Sequence, residues 1–247
     1  MTASDMPEPI VILARYRGPQ HSGNGGYTCG RLAVSLEGAV EVTLRKPPPL
    51  DRPLEVRPTE DGVEMTDGQT VIARARTTEL DLAVPECPSM AEAEAGMQRY
   101  HGFAHHAFPG CFVCGTGREP GDGLRIFAGP VSSGPMVAAP WTPGARLADA
   151  EGRVRDEFVW AALDCPGAWA WLGELDNPLV LGRLTVSVEA PVAAGEPHVV
   201  AGWQLGRDGR KHGSGTALWT ADGRLCARAK ATWFEVDEAG FKAATRP

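Results

Sequence analysis

The sequence predicts an α+β fold made of two copies of one helix-and-sheet unit. In each half, an apolar segment of helical length is followed by short strands in which apolar and polar residues alternate, the pattern of half-buried strands. The halves also resemble each other, because residues 40–56 match residues 184–200 at a constant offset of 144 positions. A duplicated unit of this kind buries in its partner copy the apolar surface that it cannot bury alone.

The first half predicts one buried helix and a set of strands. A Gly-rich turn leads into residues 21–36, whose glycines make a helix intrinsically weak, so packing has to hold it. A strand-like run at residues 11–16 precedes this segment. Further strands are expected at residues 40–44, 54–57, 63–66 and 70–80, separated by a proline break and Asp-Gly turns.

The middle of the chain is the least regular part, and we interpret it as a connector. It contains a short helical pattern at residues 91–100 and a loop rich in Gly, Pro and His at residues 101–123. The expected division is a first unit over residues 1–85, a connector over 86–123 and a second unit over 124–247. The second unit opens at residues 124–127, and its strands are expected at residues 184–189, 199–205, 214–220 and 225–236.

A nearly all-apolar segment, residues 157–172, dominates the second unit. An element that is apolar on every side predicts a buried helix. Asp164 lies in its middle, and an ionised carboxylate is costly to bury without a partner. Pro166 is tolerated in the first turn of a helix, so the segment can also break, with Asp164 capping a second helix that starts near Cys165. Both a catalytic and a capping role for Asp164 stay open.

Composition excludes several classes of function. The 247 residues carry a net charge of −7, which disfavours non-specific binding to nucleic acids or anionic membranes. No apolar run is long enough for a transmembrane helix, and the acidic, Pro-containing N-terminus is unlike a signal peptide. Six cysteines without a secretory signal predict reduced thiols and a cytoplasmic location.

Cys111 and Cys114, with His105 or His106 nearby, have a spacing that zinc sites use. A single Cys-x-x-Cys is weak evidence, however, because strong structural zinc sites supply four ligands. The favoured interpretation is a Gly- and Pro-shaped loop with buried thiols, with metal binding and redox chemistry as alternatives. The sequence therefore implies no metal site and no cofactor.

One apolar helix followed by a twisted antiparallel sheet resembles the hotdog fold, and two such units resemble the double-hotdog arrangement of acyl-CoA thioesterases, including the thioesterase II group. The segment 111–115 (CFVCG), followed by 121–125 (GDGLR), resembles the entry segment of phenylacetate-pathway thioesterases. The segment 158–164 resembles the helix of that family, whose carboxylate follows an Ala/Leu run. Two features depart from the pattern: Arg155-Asp156-Glu157 replaces a His-Gly-Gly helix start, and Ala231 stands where thioesterase II enzymes carry glutamine.

The resemblance implies an active site between the two units. It makes Asp164 the general base or nucleophile, and it makes the backbone N–H groups of Gly26 and Tyr27 the site for the thioester oxyanion. Asn24 would orient the carbonyl, although a plain turn and N-cap is the alternative for residues 24–26. Gly25 would allow close approach of the substrate to the backbone.

Two further residues are expected to contact substrate, each with a simpler alternative. Glu157 starts its helix, where the helix dipole favours a carboxylate for structural reasons alone. His21 lies in a Gly-rich loop, where exposed histidines are common.

The expected function is hydrolysis of acyl-CoA or acyl-carrier thioesters, without a cofactor, in a chain that pairs further as a homodimer. A non-catalytic acyl-CoA-binding hotdog protein is one alternative. A hotdog hydratase or dehydratase is the other, but it needs a catalytic histidine near the acid, and neither predicted helix contains one.

Overall fold

The computed structural model describes residues 8–239 and residue 241. In this part of the chain, four α-helices and an antiparallel sheet of eleven strands form the fold. The helices are α1 (Gly25–Ala33), α2 (Met90–Met97), α3 (Asp156–Ala162) and α4 (Cys165–Leu172). None of the described helices is long and apolar enough to span a membrane.

The strands form two series along the chain, one before α2 and one after it. The first series is β1 (Ile10–Val11), β2 (Val40–Leu44), β3 (Pro53–Pro58), β4 (Val63–Asp67) and β5 (Thr70–Thr77). The second is β6 (Gly129–Pro130), β7 (Met136–Trp141), β8 (Leu179–Val188), β9 (His198–Asp208), β10 (Lys211–Thr220) and β11 (Leu225–Glu235).

The order of strands across the sheet is symmetric about its centre. It runs β1-β3-β4-β5-β2-β8-β11-β10-β9-β7-β6. Each of the first five strands therefore has an equivalent at the same distance from the centre, on the other side of the sheet. The central strands β2 and β8 pair antiparallel, with Glu41 opposite Thr185. These two residues are themselves 144 positions apart, the spacing of the sequence repeat. The two units therefore meet about a pseudo-twofold axis, as the subunits of an isologous dimer do.

Helices cover both faces of the sheet. On one face, α1 packs against β2, β4 and β5, whereas α4 packs against β9 and β10. On the other face, α2 packs against β7 and β9. Since alternate residues of a strand point to opposite faces, Val200 lies in the core beneath α4 and Val199 lies in the smaller core beneath α2. The connector thus contributes a helix that shields the outer face of the second unit.

The predicted helix over residues 157–172 breaks into α3 and α4 at Asp164. Pro166 has no backbone N–H to continue the hydrogen-bond ladder. Side chains of the sheet satisfy carbonyl groups around the break: Thr216 Oγ1 donates to the Leu163 carbonyl at 2.8 Å, and Ser214 Oγ donates to the Gly167 carbonyl at 2.6 Å. The break is therefore held in place by the sheet below it.

Other parts of the sequence prediction need correction. The run at residues 11–16 is mostly not a strand, because β1 ends at Val11 and residues 14–16 form a 3-10 turn. Asp51 Oδ1 accepts the Ala14 N–H at 2.8 Å, which removes that group from any strand ladder. Strand β7 was not predicted, because its Ala-rich sequence lacks the alternation that marks a strand. His212, which lies in a glycine-containing segment, is fully buried in β10.

The contact between α1 and α3 depends on a glycine. A Cβ atom on Gly30 would lie 2.6 Å from the Cα of Glu157 and 2.8 Å from the Cβ of Trp160. Both are closer than real Cβ contacts, so the two helices approach each other only because residue 30 has no side chain.

We expect Gly30→Ala to destabilise the fold. Overpacking costs about 1–3 kcal/mol, and the better helix propensity of alanine offsets roughly 1 kcal/mol of that. The free energy of unfolding, measured in urea, should fall by up to about 2 kcal/mol.

Gly144→Ala is the matched control, because Gly144 has a φ of −74° and a Cβ atom there would have no described atom within 4 Å. It should leave the free energy of unfolding unchanged or raise it slightly. Equal effects of the two substitutions would contradict the close packing of α1 on α3.

Candidate active site

A cavity of about 380 Å³ lies where the two units and the connector meet. The N-terminal ends of α1 and α4 form one wall, and residues of the CFVCG segment form another. Most of the remaining lining is apolar, and it includes Leu44, Leu172, Leu181, Trp169, Trp233 and Phe234. The exposed residues Arg45 and Lys46 stand at the rim. Asp176, also exposed, lines the cavity too, so the exposed part of the lining carries two basic groups and one acidic group.

Asp164 lies on the wall of this cavity with only 2% of its surface exposed. It occupies the N-cap position of α4, but its side chain makes no capping hydrogen bond there. Instead, Oδ2 accepts hydrogen bonds from Asn24 Nδ2 at 2.8 Å and from the Gly26 N–H at 3.0 Å, both in the other unit. The hypothesis that the Asp164 side chain caps α4 is therefore wrong. The helix does break at the position that this hypothesis predicted.

The second carboxylate oxygen of Asp164 is in a different situation. Oδ1 is buried and has no hydrogen-bond partner among the described residues. Buried polar atoms are almost always paired, so an unpaired carboxylate oxygen at a cavity needs a ligand or a water to explain it.

Asn24 links the capping of α1 to the position of Asp164. Its backbone is extended, as an N-cap residue requires, and its Oδ1 accepts the Tyr27 N–H at 2.9 Å. Because Oδ1 faces the helix, Nδ2 faces the carboxylate of Asp164. The capping alternative for Asn24 therefore holds, and the same amide group also binds Asp164. The expected contact of Asn24 with a substrate carbonyl stays a prediction.

Burial raises the pKa of Asp164 to about 7. The hydrogen bonds from Gly26 and Asn24 lower this pKa, and the nearby Cys111 raises it, but desolvation is the largest effect. A carboxyl group whose two protonation states are both accessible near neutral pH is suited to general acid-base chemistry.

The expected oxyanion donors are already engaged. Asp164 accepts the Gly26 N–H and Asn24 accepts the Tyr27 N–H, so neither group is free in this arrangement. The carboxylate accepts the second N–H of α1, and the N-cap side chain accepts the third. Both contacts form because the free N–H groups and the dipole of a helix N-terminus attract hydrogen-bond acceptors. The Gly25 N–H has no acceptor in the part of the chain that the structure describes, and Gly25 lines the cavity.

Four of the predicted site residues do not line the cavity, and Gly26 is one of them. The Tyr27 ring is buried and stacks on Tyr16, with 4.1 Å between the ring centroids. Glu157 lies against a separate surface depression and pairs with Arg155 at 3.1 Å. His21 is half-buried in the loop before α1 and does not line the cavity.

Sequence reasoning missed several residues that form the cavity wall. Cys165 follows Asp164 directly and is buried beside it, and Trp169 lies one turn further along α4. His106 comes from the connector and lines the same cavity as Asp164. A histidine therefore lies at the cavity although neither predicted helix contains one. The adjacency of Cys165 to Asp164 was a usable signal, whereas the position of His106 depended on how the connector folds.

Solved structures of other proteins share this architecture. A tesB protein of Mycobacterium avium subspecies paratuberculosis superposes with a TM-score of 0.58 and 13% sequence identity, over 89% of each chain. A conserved protein of unknown function with a hot dog fold, from Alicyclobacillus acidocaldarius, superposes with a TM-score of 0.58 and 14% identity, over 91% of this chain and 90% of the other. The chain has a hotdog fold, present twice. This confirms the fold class predicted from the sequence.

A third hotdog relative is a Thermobifida fusca protein provisionally named a thioesterase II. It superposes with a TM-score of 0.56 and 16% identity, over 88% of each chain. No protein-family model matches the sequence, and no curated protein matches it. At such low identity these likenesses show the hotdog fold and leave the activity to be argued from the site.

We expect Asn24→Ala to destabilise the protein more than the loss of an ordinary helix cap does. The substitution removes a cap, which is worth about 0.5–2 kcal/mol. It also removes a hydrogen bond to a buried carboxylate, which is worth about 1.5–3 kcal/mol. The free energy of unfolding in urea should fall by about 2–5 kcal/mol.

Ser89→Ala is the matched control, since Ser89 caps α2 in an exposed capping box and contacts no buried charge. It should cost only about 1 kcal/mol. If the two variants lose the same free energy of unfolding, the bond from Asn24 to Asp164 contributes nothing to the fold.

Proposed function

We propose that the chain hydrolyses acyl thioesters, with Asp164 as the general base. The observation that carries this proposal is the carboxylate of Asp164. One of its oxygens is fixed by two donors from the other unit, and the second is buried without a partner at a cavity wall. Burial also holds the pKa of Asp164 at about 7. The fold, shared with proteins named as thioesterases, supports the same class of reaction.

The reaction divides into two steps. In the first, Oδ1 of Asp164 takes a proton from water while the water oxygen bonds to the thioester carbonyl carbon, which gives a tetrahedral oxyanion. In the second, the carbonyl reforms, the C–S bond breaks, and Asp164 returns the proton to the departing thiolate. The products are a carboxylic acid and a free thiol. One carboxyl group thus serves as base and then as acid.

The Gly25 N–H and the N-terminal dipole of α1 are the proposed stabilisers of the oxyanion. This donor replaces the Gly26 and Tyr27 pair that the family resemblance implied, because Gly25 lines the cavity and its N–H has no acceptor among the described residues. A preorganised donor at a helix N-terminus stabilises developing negative charge without reorganisation.

The cavity suits an acyl chain joined to a phosphate-bearing carrier. Its apolar side chains favour the acyl group through burial of hydrocarbon surface. Arg45 and Lys46 at the rim make no ion pair with other described residues, which leaves both charges available to phosphate groups. Coenzyme A is the carrier that we propose.

A non-catalytic acyl-CoA-binding protein is the second candidate. The engagement of the Gly26 and Tyr27 N–H groups favours it, because of the first three N–H groups of α1 it leaves Gly25 alone for the oxyanion. Such a protein would bind the same thioesters and release no thiol. A thiol-release assay therefore distinguishes the two candidates.

We expect Asp164→Asn to abolish most of the turnover. The amide oxygen can still accept the bonds from Asn24 and Gly26, so the fold should survive, but an amide takes no proton from water. Loss of a general base lowers kcat by about 10²- to 10⁴-fold. Thiol release from short, medium, long and aromatic acyl-CoAs, followed with a disulfide reagent, measures the effect.

Asp156→Asn is the control, because Asp156 starts α3 beside the other surface depression, away from the cavity. It should retain wild-type turnover. Wild-type turnover in Asp164→Asn would exclude Asp164 as the base. Acyl-CoA binding without thiol release by the wild type would favour the binding protein.

We expect the double substitution Arg45→Ala and Lys46→Ala to raise KM for acyl-CoA by about tenfold or more, since charge-assisted hydrogen bonds to phosphate contribute about 1.5–3 kcal/mol each. The value of kcat should change little. For the same acyl group on N-acetylcysteamine, which has no phosphate, KM should not change.

Lys230→Ala, which removes an exposed charge from β11, should leave both KM values unchanged. If KM rises equally for the two carriers in the double variant, the basic rim does not bind the phosphates of coenzyme A.

A further inference from the structure

Three cysteines from distant parts of the chain meet on the cavity wall. Cys111 and Cys114 belong to the CFVCG segment of the connector, and Cys165 is the first residue of α4. All three are buried free thiols, and their sulfur atoms lie within 4.8 Å of one another. The sequence shows only the Cys-x-x-Cys pair, which by itself is weak evidence of a metal site. The tertiary structure adds the third thiol, that of Cys165.

The spacing of the sulfur atoms matches a metal-thiolate site. The Sγ atoms of Cys111 and Cys165 are 3.7 Å apart. Zinc binds thiolates at about 2.3 Å in tetrahedral geometry, which places the sulfur atoms about 3.8 Å from each other. The third sulfur, within 4.8 Å of both, needs only a small rotation to complete the same triangle.

The turn that presents two of these thiols is itself tightly built. The Gly115 N–H donates to the Cys111 carbonyl at 2.9 Å and closes the turn around residues 111–114. A Cβ atom on Gly115 would lie 2.5 Å from that same carbonyl oxygen, so the turn requires glycine after the second cysteine. The two sulfur atoms are therefore held on one side of a rigid turn.

Polar N–H groups surround the sulfur atoms. Asn24 Nδ2 lies 3.9 Å from the sulfur of Cys111 and 4.0 Å from that of Cys165. N–H donors of this kind stabilise thiolates in the outer shell of metal sites.

His106 is part of this outer shell and not a fourth ligand. Its Nε2 lies 3.4 Å from the sulfur of Cys114, but its Nδ1 accepts the Phe108 N–H at 3.0 Å. Neutral imidazole has one donor and one acceptor nitrogen, so Nε2 carries the proton and has no lone pair for a metal. It donates to the Cys114 carbonyl at 3.1 Å. A fourth position is thus left to the cavity, as in zinc sites that bind an exchangeable ligand.

We propose that Cys111, Cys114 and Cys165 bind one thiophilic divalent cation of the zinc class, with its fourth position open to the cavity for water or a small anionic ligand. The two positive charges of the cation would offset two of the three negative charges of the thiolates in this buried site. The proposal goes beyond thioester hydrolysis and does not depend on it, because the steps assigned to Asp164 use no metal.

Cobalt(II) titration of the reduced full-length chain tests this proposal, with a phosphine as the reductant so that no small thiol competes. Cobalt in a tetrahedral thiolate site gives sulfur-to-metal charge-transfer bands in the near ultraviolet and intense visible bands. We expect saturation at one cobalt per chain, with a charge-transfer intensity that corresponds to three thiolates. Zinc should displace the cobalt and remove the bands.

Cys111→Ser, Cys114→Ser and Cys165→Ser should each lower the affinity by more than about 100-fold, beyond the loss typical of an outer-shell change. Cys29→Ser, which removes an equally buried thiol outside the cluster, and Cys87→Ser, which removes a half-buried one, should bind cobalt like the wild type. Zinc should also raise the urea midpoint of the wild type and not that of the three cluster variants.

Absence of the charge-transfer bands in the reduced wild type at saturating cobalt would overturn the proposal, and this result needs no variant to fold. Retention of the bands in all three cluster variants would overturn it as well. Acyl-CoA hydrolysis is not a readout in either experiment, so the metal site and the proposed function are tested separately.

Discussion

The structure depends on a carboxylate of one unit that binds the helix start of the other. Asp164 accepts hydrogen bonds from Asn24 and Gly26 across the boundary between the two hotdog units. This contact requires glycine at position 26, because a Cβ atom there would lie 2.5 Å from the Cβ of Asp164 and 2.7 Å from the Trp160 carbonyl oxygen. Without that close approach, the carboxylate would be buried without donors, at a large cost in free energy.

The duplication of one unit accounts both for the symmetry of the fold and for the asymmetry of the site. The central pairing of β2 with β8 relates the two units by a pseudo-twofold axis and packs α1 on α3. The two helical segments differ in sequence: the start of α1 offers Asn24 and two glycines, whereas the break between α3 and α4 offers Asp164 and Cys165. A duplicated unit has thereby gained one composite site in which each copy supplies a different chemical group.

Asn24 is the side chain that joins the parts of this site. Its oxygen caps α1, and its amide nitrogen contacts Asp164 and faces the sulfur atoms of Cys111 and Cys165. Any change in the orientation of this amide alters the helix cap, the carboxylate and the thiols together. The proposed base and the proposed metal site are consequently neighbours that share an outer-shell donor, and the substitutions above separate their effects.

The sequence by itself determined the α+β class, the repeat, most strands and the importance of Asp164, because periodicity, proline breaks and a charge in an apolar segment are local signals. It missed β7, whose alanines carry no such signal, and it placed the oxyanion donors on Gly26 and Tyr27. Only the tertiary structure decided that Asp164 accepts the Gly26 N–H and that Cys165 joins Cys111 and Cys114. Contacts between residues 50 or more positions apart follow from how the units pack, which no local pattern encodes.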